Sequence, residues 1–293
     1  MSAIQGQHIV ATYSIVGRDQ ATGDLGVAVQ SKFLAVGAVV PWAQAGVGAV
    51  ATQSLANTAY GPSGLALMQA GVMPESIIAQ LTANDEKAAM RQVGMVDAQG
   101  RAATFTGGDC FAWAGGRIGP NYACQGNILV SAATVDALAT TFVANESLPL
   151  HDRLLTSLAA AQAAGGDRRG QQSAALLVVR EKGGYGGLND RFIDLRVDDH
   201  PHPIAELQRL LELHKLYLFP SDPHDMQVIT PVIVTELQQI LTHAGDYQGQ
   251  ITGIFDVATR QAMNAYVGRE NLEERWQDGD TIDRVVLEYM RQH

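Results

Sequence analysis

Residues 12–54 read TYSIVGRDQATGDLGVAVQSKFLAVGAVVPWAQAGVGAVATQS. Three short runs around and within this stretch, HIVATYSIV, LGVAVQS and AVGAVVPWA, are built of β-branched and small residues. Gly-Asp and Gly-Val turns separate them, and this pattern predicts strands. ATGDLG at 21–26 predicts a hairpin between the first two. Downstream, GPSGLALMQAG and PESIIAQLTAND predict two helices, with Pro74 in the first turn of the second. MVDAQGRAATFTG predicts another hairpin, turning at Ala98–Gly100. Residues 131–145 and the Ala-rich 151–164 read as helices, and SAALLVVRE and DRFIDLRVDD as strands. The order of strands, helices, strands, helices, strands departs from the strict alternation of a doubly wound sheet. It predicts an α+β fold of antiparallel sheets covered by helices.

The rest of the chain differs in composition. Residues 1–203 hold 25 of the 30 glycines and carry 16 acids against 13 bases; residues 204–293 hold 5 glycines with 14 acids against 7 bases. We therefore expect three parts: a domain over 1–203, a connecting helix and linker over 204–225, and a helical module over 226–293. IAELQRLLELHKLYL has the apolar spacing of the connecting helix, flanked by the breaker-rich runs HPHP and FPSDPHD. In the module, VIVTELQQILTHAG ends at Gly245, DVATRQAMNAYVG is capped by Asp256, and IDRVVLEYM is a third helix.

Composition excludes several functions. The 293 residues carry a formal charge of −10 without a basic run, which argues against nucleic acid and anionic membranes as partners. No apolar stretch approaches the ~20 residues of a spanning helix. The first residues show neither a basic start nor an apolar run, and two cysteines make no disulfide framework, so a cytoplasmic setting is expected. Dinucleotide, P-loop, nucleophile-elbow and zinc-protease motifs are missing, and no cofactor is expected. Before residue 200 the only histidines are His8 and His151, which leaves few bases for a histidine-dependent nucleophile. DDHPHP at 198–203 offers two carboxylates and two imidazoles. It reads more readily as a strand end with a proline turn than as a metal site, and no metal is expected. Lys32, the only lysine before Lys87, either stabilises a developing anion or is a solvated strand-end charge. GGDRRGQQSAALLVV at 165–179 is a glycine-loosened loop running into a strand, a form shared by ligand-binding loops and ordinary turns.

Taken together, the 12–54 stretch, YGPSGLAL, WAGG, CQGNILV, AAGGDRRGQQSAALLVV and DLRVDDHPHPIAEL resemble the family called domain of unknown function 1028, from about Thr12 to Leu216. That family is grouped with the N-terminal-nucleophile hydrolases, and the resemblance implies a four-layer αββα sandwich. Residues 226–290 are similar to a peptidoglycan-binding module often attached to this family, through the pattern QxxLxxxGxYxGxxxGxFDxxT. A peptidoglycan fragment is thereby an implied partner, although the acidic charge of this part argues against simple attraction to anionic wall polymers.

N-terminal-nucleophile hydrolases attack an amide carbonyl with the side chain of the first mature residue, and use its α-amine as base. The resemblance assigns these roles to Thr12 as nucleophile, Lys32 as charge stabiliser, Gly126 and Asn127 as oxyanion donors, and Asp167 and Ser173 as groups orienting the amine. It implies amide-bond hydrolysis of a small or peptide-like substrate. The sequence departs from the pattern in three places. Eleven residues precede Thr12, Gln30 stands where proteasome-like relatives carry a carboxylate in the second strand, and their third-strand lysine has no counterpart in AVVPWA. The alternative is a non-catalytic binding protein that keeps the hydrolase-like fold, with association to the cell wall through the C-terminal module as one form of it. Thr12, Lys32, Asn127 and Asp167 are expected to meet at the open end of the first hairpin. The few charges of WAQAGVGAVATQS lead us to expect a homodimer.

Overall fold

The computed structural model describes residues 12–293. His8 and the first part of the expected HIVATYSIV strand lie outside the described residues. The described chain is a mixed α/β structure with eight α-helices, and every strand pairing in it is antiparallel. It divides into two compact units between Arg209 and Leu210.

The first unit is organised by two sheets. In chain order its strands are β1 (Thr12–Arg18), β2 (Leu25–Ser31), β3 (Pro41–Gln44), β4 (Gly48–Ser54), β5 (Arg91–Asp97), β6 (Ala102–Thr106), β7 (Gly115–Gly119), β8 (Tyr122–Gly126), β9 (Ser173–Val179) and β10 (Arg191–Val197). One sheet has the order β10-β9-β2-β1-β8-β7 and the other β3-β4-β5-β6. Helices α1 (Tyr60–Gln69) and α2 (Pro74–Ala83) pack on the four-stranded sheet. Helices α3 (Ala133–Ala144) and α4 (Leu150–Ala163) pack on the six-stranded one.

Alternation decides which residues face which layer. In β1 and β2 the odd and even positions split cleanly. Val16, Leu25, Val27 and Val29 join Ala49, Ala51 and Val96 in an apolar cluster between the sheets. Each fully buried valine or leucine of this cluster contributes about 1.5–3 kcal/mol of transfer free energy. On the opposite face, the glycine at position 17 leaves room for Phe142, whose ring would lie 2.9 Å from an added Cβ. The β1–β2 hairpin has Arg18 opposite Leu25 and Thr12 opposite Ser31, so its turn spans 19–24 and Thr12 sits at the open end. The second expected hairpin forms as well, with Val96 opposite Ala102.

AVGAVVPWA is not one strand. It contains a short 3-10 turn, Val36–Ala38, and only Pro41–Gln44 pairs in a sheet. The reason is topological: β2 belongs to one sheet and β3 to the other, so residues 32–40 must cross between them. Ala35 adopts a left-handed backbone with φ 53°, and Val36 N–H is captured by Ser173 Oγ at 3.1 Å. The low charge of WAQAGVGAVATQS also has an explanation within one chain, because every residue of β4 is buried.

The second unit holds α6 (Pro231–His243), α7 (Val257–Arg269) and α8 (Arg284–Gln292), with α5 (Pro203–Leu218) leading into it. Asp256 caps α7 by accepting from Thr259 N–H at 2.9 Å, and Gly245 takes φ 85° just past α6. This unit also contains a two-stranded sheet of β11 (Met226–Val228) and β12 (Thr281–Asp283), which the helical reading omits. Three-residue strands are too short to show an alternating pattern. No helix among the described residues is long and apolar enough to cross a membrane.

Candidate active site

The space between the two sheets changes character along the strands. Beyond the apolar cluster, toward the Thr12 end, the inward positions are polar. Thr12 opens β1 and is fully buried; its Oγ donates to Ser31 Oγ at 3.1 Å. Ser31 lies between Thr12 and Ser173 in register, so three hydroxyl residues stand side by side on β1, β2 and β9. Ser173 Oγ donates to the Phe33 carbonyl while accepting from Val36 N–H, which fixes the crossing segment.

Three glutamines complete the polar end. Ser14 Oγ donates to Gln53 Oε1 at 2.6 Å and accepts from Gln125 Nε2 at 2.6 Å. Gln53 Nε2 donates to Gln92 Oε1 at 2.8 Å and to the Thr12 carbonyl at 3.3 Å. Gln92 Nε2 in turn donates to the Gly126 carbonyl at 2.7 Å and to Thr106 Oγ at 2.9 Å. Gln53, Gln92 and Gln125 are all fully buried. Their amides satisfy one another, as buried polar groups must. The sequence reading passed over them. A signal exists: each glutamine occupies an inward position of an otherwise small or apolar strand, in GAVATQS, RQVGMVD and YACQG.

Asn127 joins this network. Its backbone N–H donates to the Thr12 carbonyl at 3.0 Å, and its Nδ2 donates to Gln92 Oε1 at 2.9 Å. Its Oδ1 is buried with no hydrogen-bond partner. The next residue, Ile128, has a left-handed backbone with φ 53°, a rare state for a β-branched side chain. Ile128 N–H donates to the Phe111 carbonyl and the Ile128 carbonyl accepts from Arg168 N–H, each at 2.9 Å, which holds it there. Gly126 pairs opposite Tyr13.

Asp167 lies in the loop between α4 and β9, where Gly165, Gly166 and Gly170 all have positive φ. That backbone brings Asp167 against Leu129 in an isolated bridge and buries its carboxylate. The carboxylate accepts from Lys32 N–H at 3.1 Å, from Arg169 N–H at 2.8 Å and from Arg169 Nη2 at 3.0 Å. Burial first, and the Asp167 charge second, push the Tyr13 hydroxyl well above its ordinary range; it donates to Gln162 Oε1 at 2.8 Å. Lys32 is placed differently. Its ammonium is at the surface and donates to the Gln171 carbonyl at 3.2 Å, while its backbone contacts Asp167.

Thr12, Asn127, Asp167 and Ser173 therefore sit at one end of the sheets, linked through Ser31, Gln92 and the Lys32 backbone. The Lys32 side chain reaches Gln171 beside them. Gln30, opposite Tyr13, has both amide atoms buried and unpartnered. The cysteines are poor nucleophiles: burial pushes the Cys124 thiol up to about 12 and raises that of Cys110. Among the described residues, no three His, Cys, Asp or Glu side chains gather to hold a metal. In the DDHPHP run, Asp199 accepts from Gln172 Nε2 at 3.1 Å, and His200 Nδ1 accepts from His202 N–H at 3.0 Å.

Comparison with known proteins gives two family matches. Residues 12–207 match the model described as "Family of unknown function (DUF1028)", and residues 217–290 match that described as "Putative peptidoglycan binding domain". No curated protein matches the chain. Among solved structures, protein SPO2555 from Silicibacter pomeroyi, assigned to the same DUF1028 family, superposes with a TM-score of 0.65 at 31% identity, covering 71% of this chain and 91% of that one. The family match extends over most of the polar site, from Thr12 to Ser173, and the chain belongs to the DUF1028 family.

Proposed function

We propose that this protein is an amide-bond hydrolase of the N-terminal-nucleophile type, with Thr12 as the nucleophile, and that it is latent while residues precede Thr12. The observation that carries the reading is the position of Thr12. It begins a central strand, with its hydroxyl bonded to Ser31 and its carbonyl held by Asn127 N–H. Two facing antiparallel sheets with helices on their outer faces support the four-layer αββα sandwich of that class.

The chemistry requires a free α-amine. In this sequence Ala11 precedes Thr12, so the Thr12 nitrogen is a peptide amide and accepts no proton near neutral pH. Once the Ala11–Thr12 bond is cut, the amine has an ordinary pKa of about 7.7–8.0. It then removes the proton from Oγ as Oγ bonds to the substrate carbonyl carbon. The carbon–nitrogen bond breaks, the departing amine takes the proton, and water releases the acyl group from Oγ. Asp167, with its backbone and Arg169 partners, is the carboxylate of this end of the sheets. The Asn127 amides are the oxyanion donors in this reading and must exchange their present bonds with the Thr12 carbonyl and Gln92 for it.

The second reading is a binding protein that keeps the fold. It is favoured by the full burial of Thr12 and by the neutral Gln30 at the position of the relatives' carboxylate. Intact mass of the purified protein separates the two. A species lacking residues 1–11 supports the hydrolase, and a chain that stays whole under all storage and substrate conditions supports the binding protein.

The partners in this reading are a small or peptide-like amide, a second copy of the chain and a peptidoglycan fragment at the module, with a cytoplasmic location. The edge position of β3 and the exposed Leu34 supply surface for a homodimer. Light scattering at micromolar concentration tests it, and a monomer would remove it. The domain limits 1–203, 204–225 and 226–293 belong to the same reading. Limited proteolysis between 204 and 225 that releases two stable fragments tests them.

A further inference from the structure

A cavity of about 420 Å³ opens at the other end of the first hairpin, lined by Asp19, Gln20, Ala21, Asn121, Glu146 and Arg153. Six residues of β1, 13–18, separate it from Thr12, roughly 20 Å of extended chain, so it is distinct from the site above. Arg153 on α4 lines the cavity and is only 7% exposed. The guanidinium carbon lies 3.6 Å above the Phe142 ring, and Nε donates to the Phe142 carbonyl. Ring and carbonyl fix the plane of the group and occupy one edge. The two Nη atoms form no hydrogen bond or ion pair with any described residue.

Such a fork of donors, already desolvated and oriented, matches the two oxygens of a carboxylate. Desolvation lowers the Arg153 pKa, while the charges of Glu146 and Asp19 raise it. Those two carboxylates sit on the wall of the same cavity. Asp19 uses Oδ1 to accept from Ala21 and Thr22 N–H, each at 2.8 Å, which leaves Oδ2 for a ligand. Glu146 is exposed, and its carboxylate forms no hydrogen bond or ion pair with a described residue. The lining therefore presents one cation and two anions. A simple anion would meet net repulsion, and a simple cation would leave the Arg153 fork unmatched. A molecule with both charges satisfies both walls, and the volume suits one of amino-acid to dipeptide size.

We infer that the cavity between the β1–β2 turn, the β7–β8 turn and the α3–α4 loop binds a small zwitterion, an α-amino acid or short peptide, with its carboxylate on Arg153 and its ammonium facing Glu146 and Asp19. The test is calorimetric titration of the full chain with glycine, L-alanine, L-glutamate and glycylglycine. Propionate serves as the carboxylate alone and ethylamine as the ammonium alone. At least one zwitterion should bind at a single site, ten-fold or more tighter than propionate or ethylamine. Glu146→Gln removes one charge from an exposed position, should leave the melting temperature unchanged, and should weaken the zwitterion about ten-fold. Arg153→Lys should abolish binding; if that variant melts early, the Glu146→Gln result decides alone. No saturation by any zwitterion at 10 mM, equal binding of propionate, or binding indifferent to Glu146→Gln would each overturn the inference.

Discussion

Ser14 on the six-stranded sheet and Gln53 on the four-stranded sheet share a 2.6 Å hydrogen bond across the gap between the sheets. This bond is the first link of a chain that runs through Gln53, Gln92 and Asn127 to the Thr12 carbonyl. The sheets are therefore joined by apolar packing at one end and by amide hydrogen bonds at the other. The polar end holds Thr12 in place.

Removing a member of this network should destabilise the protein more than an ordinary polar deletion. Gln92→Ala leaves the Gly126 carbonyl, Asn127 Nδ2 and Gln53 Nε2 without their present partner. Gln53 Nε2 keeps its bond to the Thr12 carbonyl, and each buried group left with no partner costs about 1–3 kcal/mol. We expect an overall loss of about 3–5 kcal/mol in urea unfolding, with the m-value unchanged. A loss under 1 kcal/mol would show that the network is dispensable.

Gly94 on β5 faces Gln125 across the same gap. A Cβ at this position would meet Gln125 Oε1 at 1.9 Å. Gly94→Ala must push the Gln125 side chain away from Ser14 and Thr104, with which it is bonded. Overpacking of this kind costs about 1–3 kcal/mol. The expected result is a drop of several degrees in melting temperature, which Gly94→Ala combined with Gln125→Ala should partly restore.

Asp85 predicts a pH dependence. The Arg91 guanidinium, with Asn57 Nδ2, Lys87 N–H and Tyr60 OH, holds its carboxyl well below the usual carboxylate range, against an opposing effect of burial. The unfolded chain has an ordinary aspartate near 3.9. The lowered folded value means that Asp85 stabilises the protein above about pH 4, and that this contribution fades as pH falls below it. Asp85→Asn should be less stable than the parent at pH 7, and the gap should narrow between pH 4 and pH 2. A gap independent of pH would contradict this. Tyr60, raised by burial and by its bond to Asp85, works in the other direction: its contribution is kept up to pH 10 and lost above.

In the C-terminal unit, the family pattern reads as a set of structural fasteners. Gln238 is fully buried; its Oε1 accepts from Thr252 and Gly253 N–H at 2.8 and 3.0 Å, and its Nε2 donates to Thr259 Oγ at 2.9 Å. Tyr247 OH donates to the Gln250 carbonyl at 2.9 Å, and Asp256 caps α7. These residues are spent on the loop between α6 and α7 and on the start of α7, so any wall-polymer contact must come from others. Gln238→Leu should unfold this unit by about 2–4 kcal/mol. A pull-down with purified sacculi, comparing the full chain with one ending near Asp222, tests the contact. Equal retention of both would remove peptidoglycan as a partner.

Much of this was legible in the sequence. The β1–β2 hairpin followed from ATGDLG, and the α7 cap from Asp256, because both depend on neighbours in the chain. The crossing at 32–40 was not legible: AVGAVVPWA has the composition of a strand, and only its place between two sheets turns it. The glutamine network escaped for a similar reason. A glutamine in a strand looks solvent-facing until an opposing sheet supplies its partners. Thr12, Asn127 and Asp167 are proposed as site residues through resemblance alone, and the structure adds the hydrogen bonds around them. The outward path of the Lys32 side chain to Gln171 depends on the loop after α4, which no local pattern specifies.

The most direct test of the central claim is covalent labelling of Thr12. A chain whose first residue is Thr12, the full-length chain, and the first of these carrying Thr12→Ala should each be treated with a β-lactone, which acylates an activated hydroxyl. Intact mass and peptide mapping then read the adduct. The account predicts one acyl group on Thr12 in the chain that begins there, and none in the other two. No adduct on Thr12 in that chain while it remains folded, or equal labelling of the Thr12→Ala chain, would contradict it.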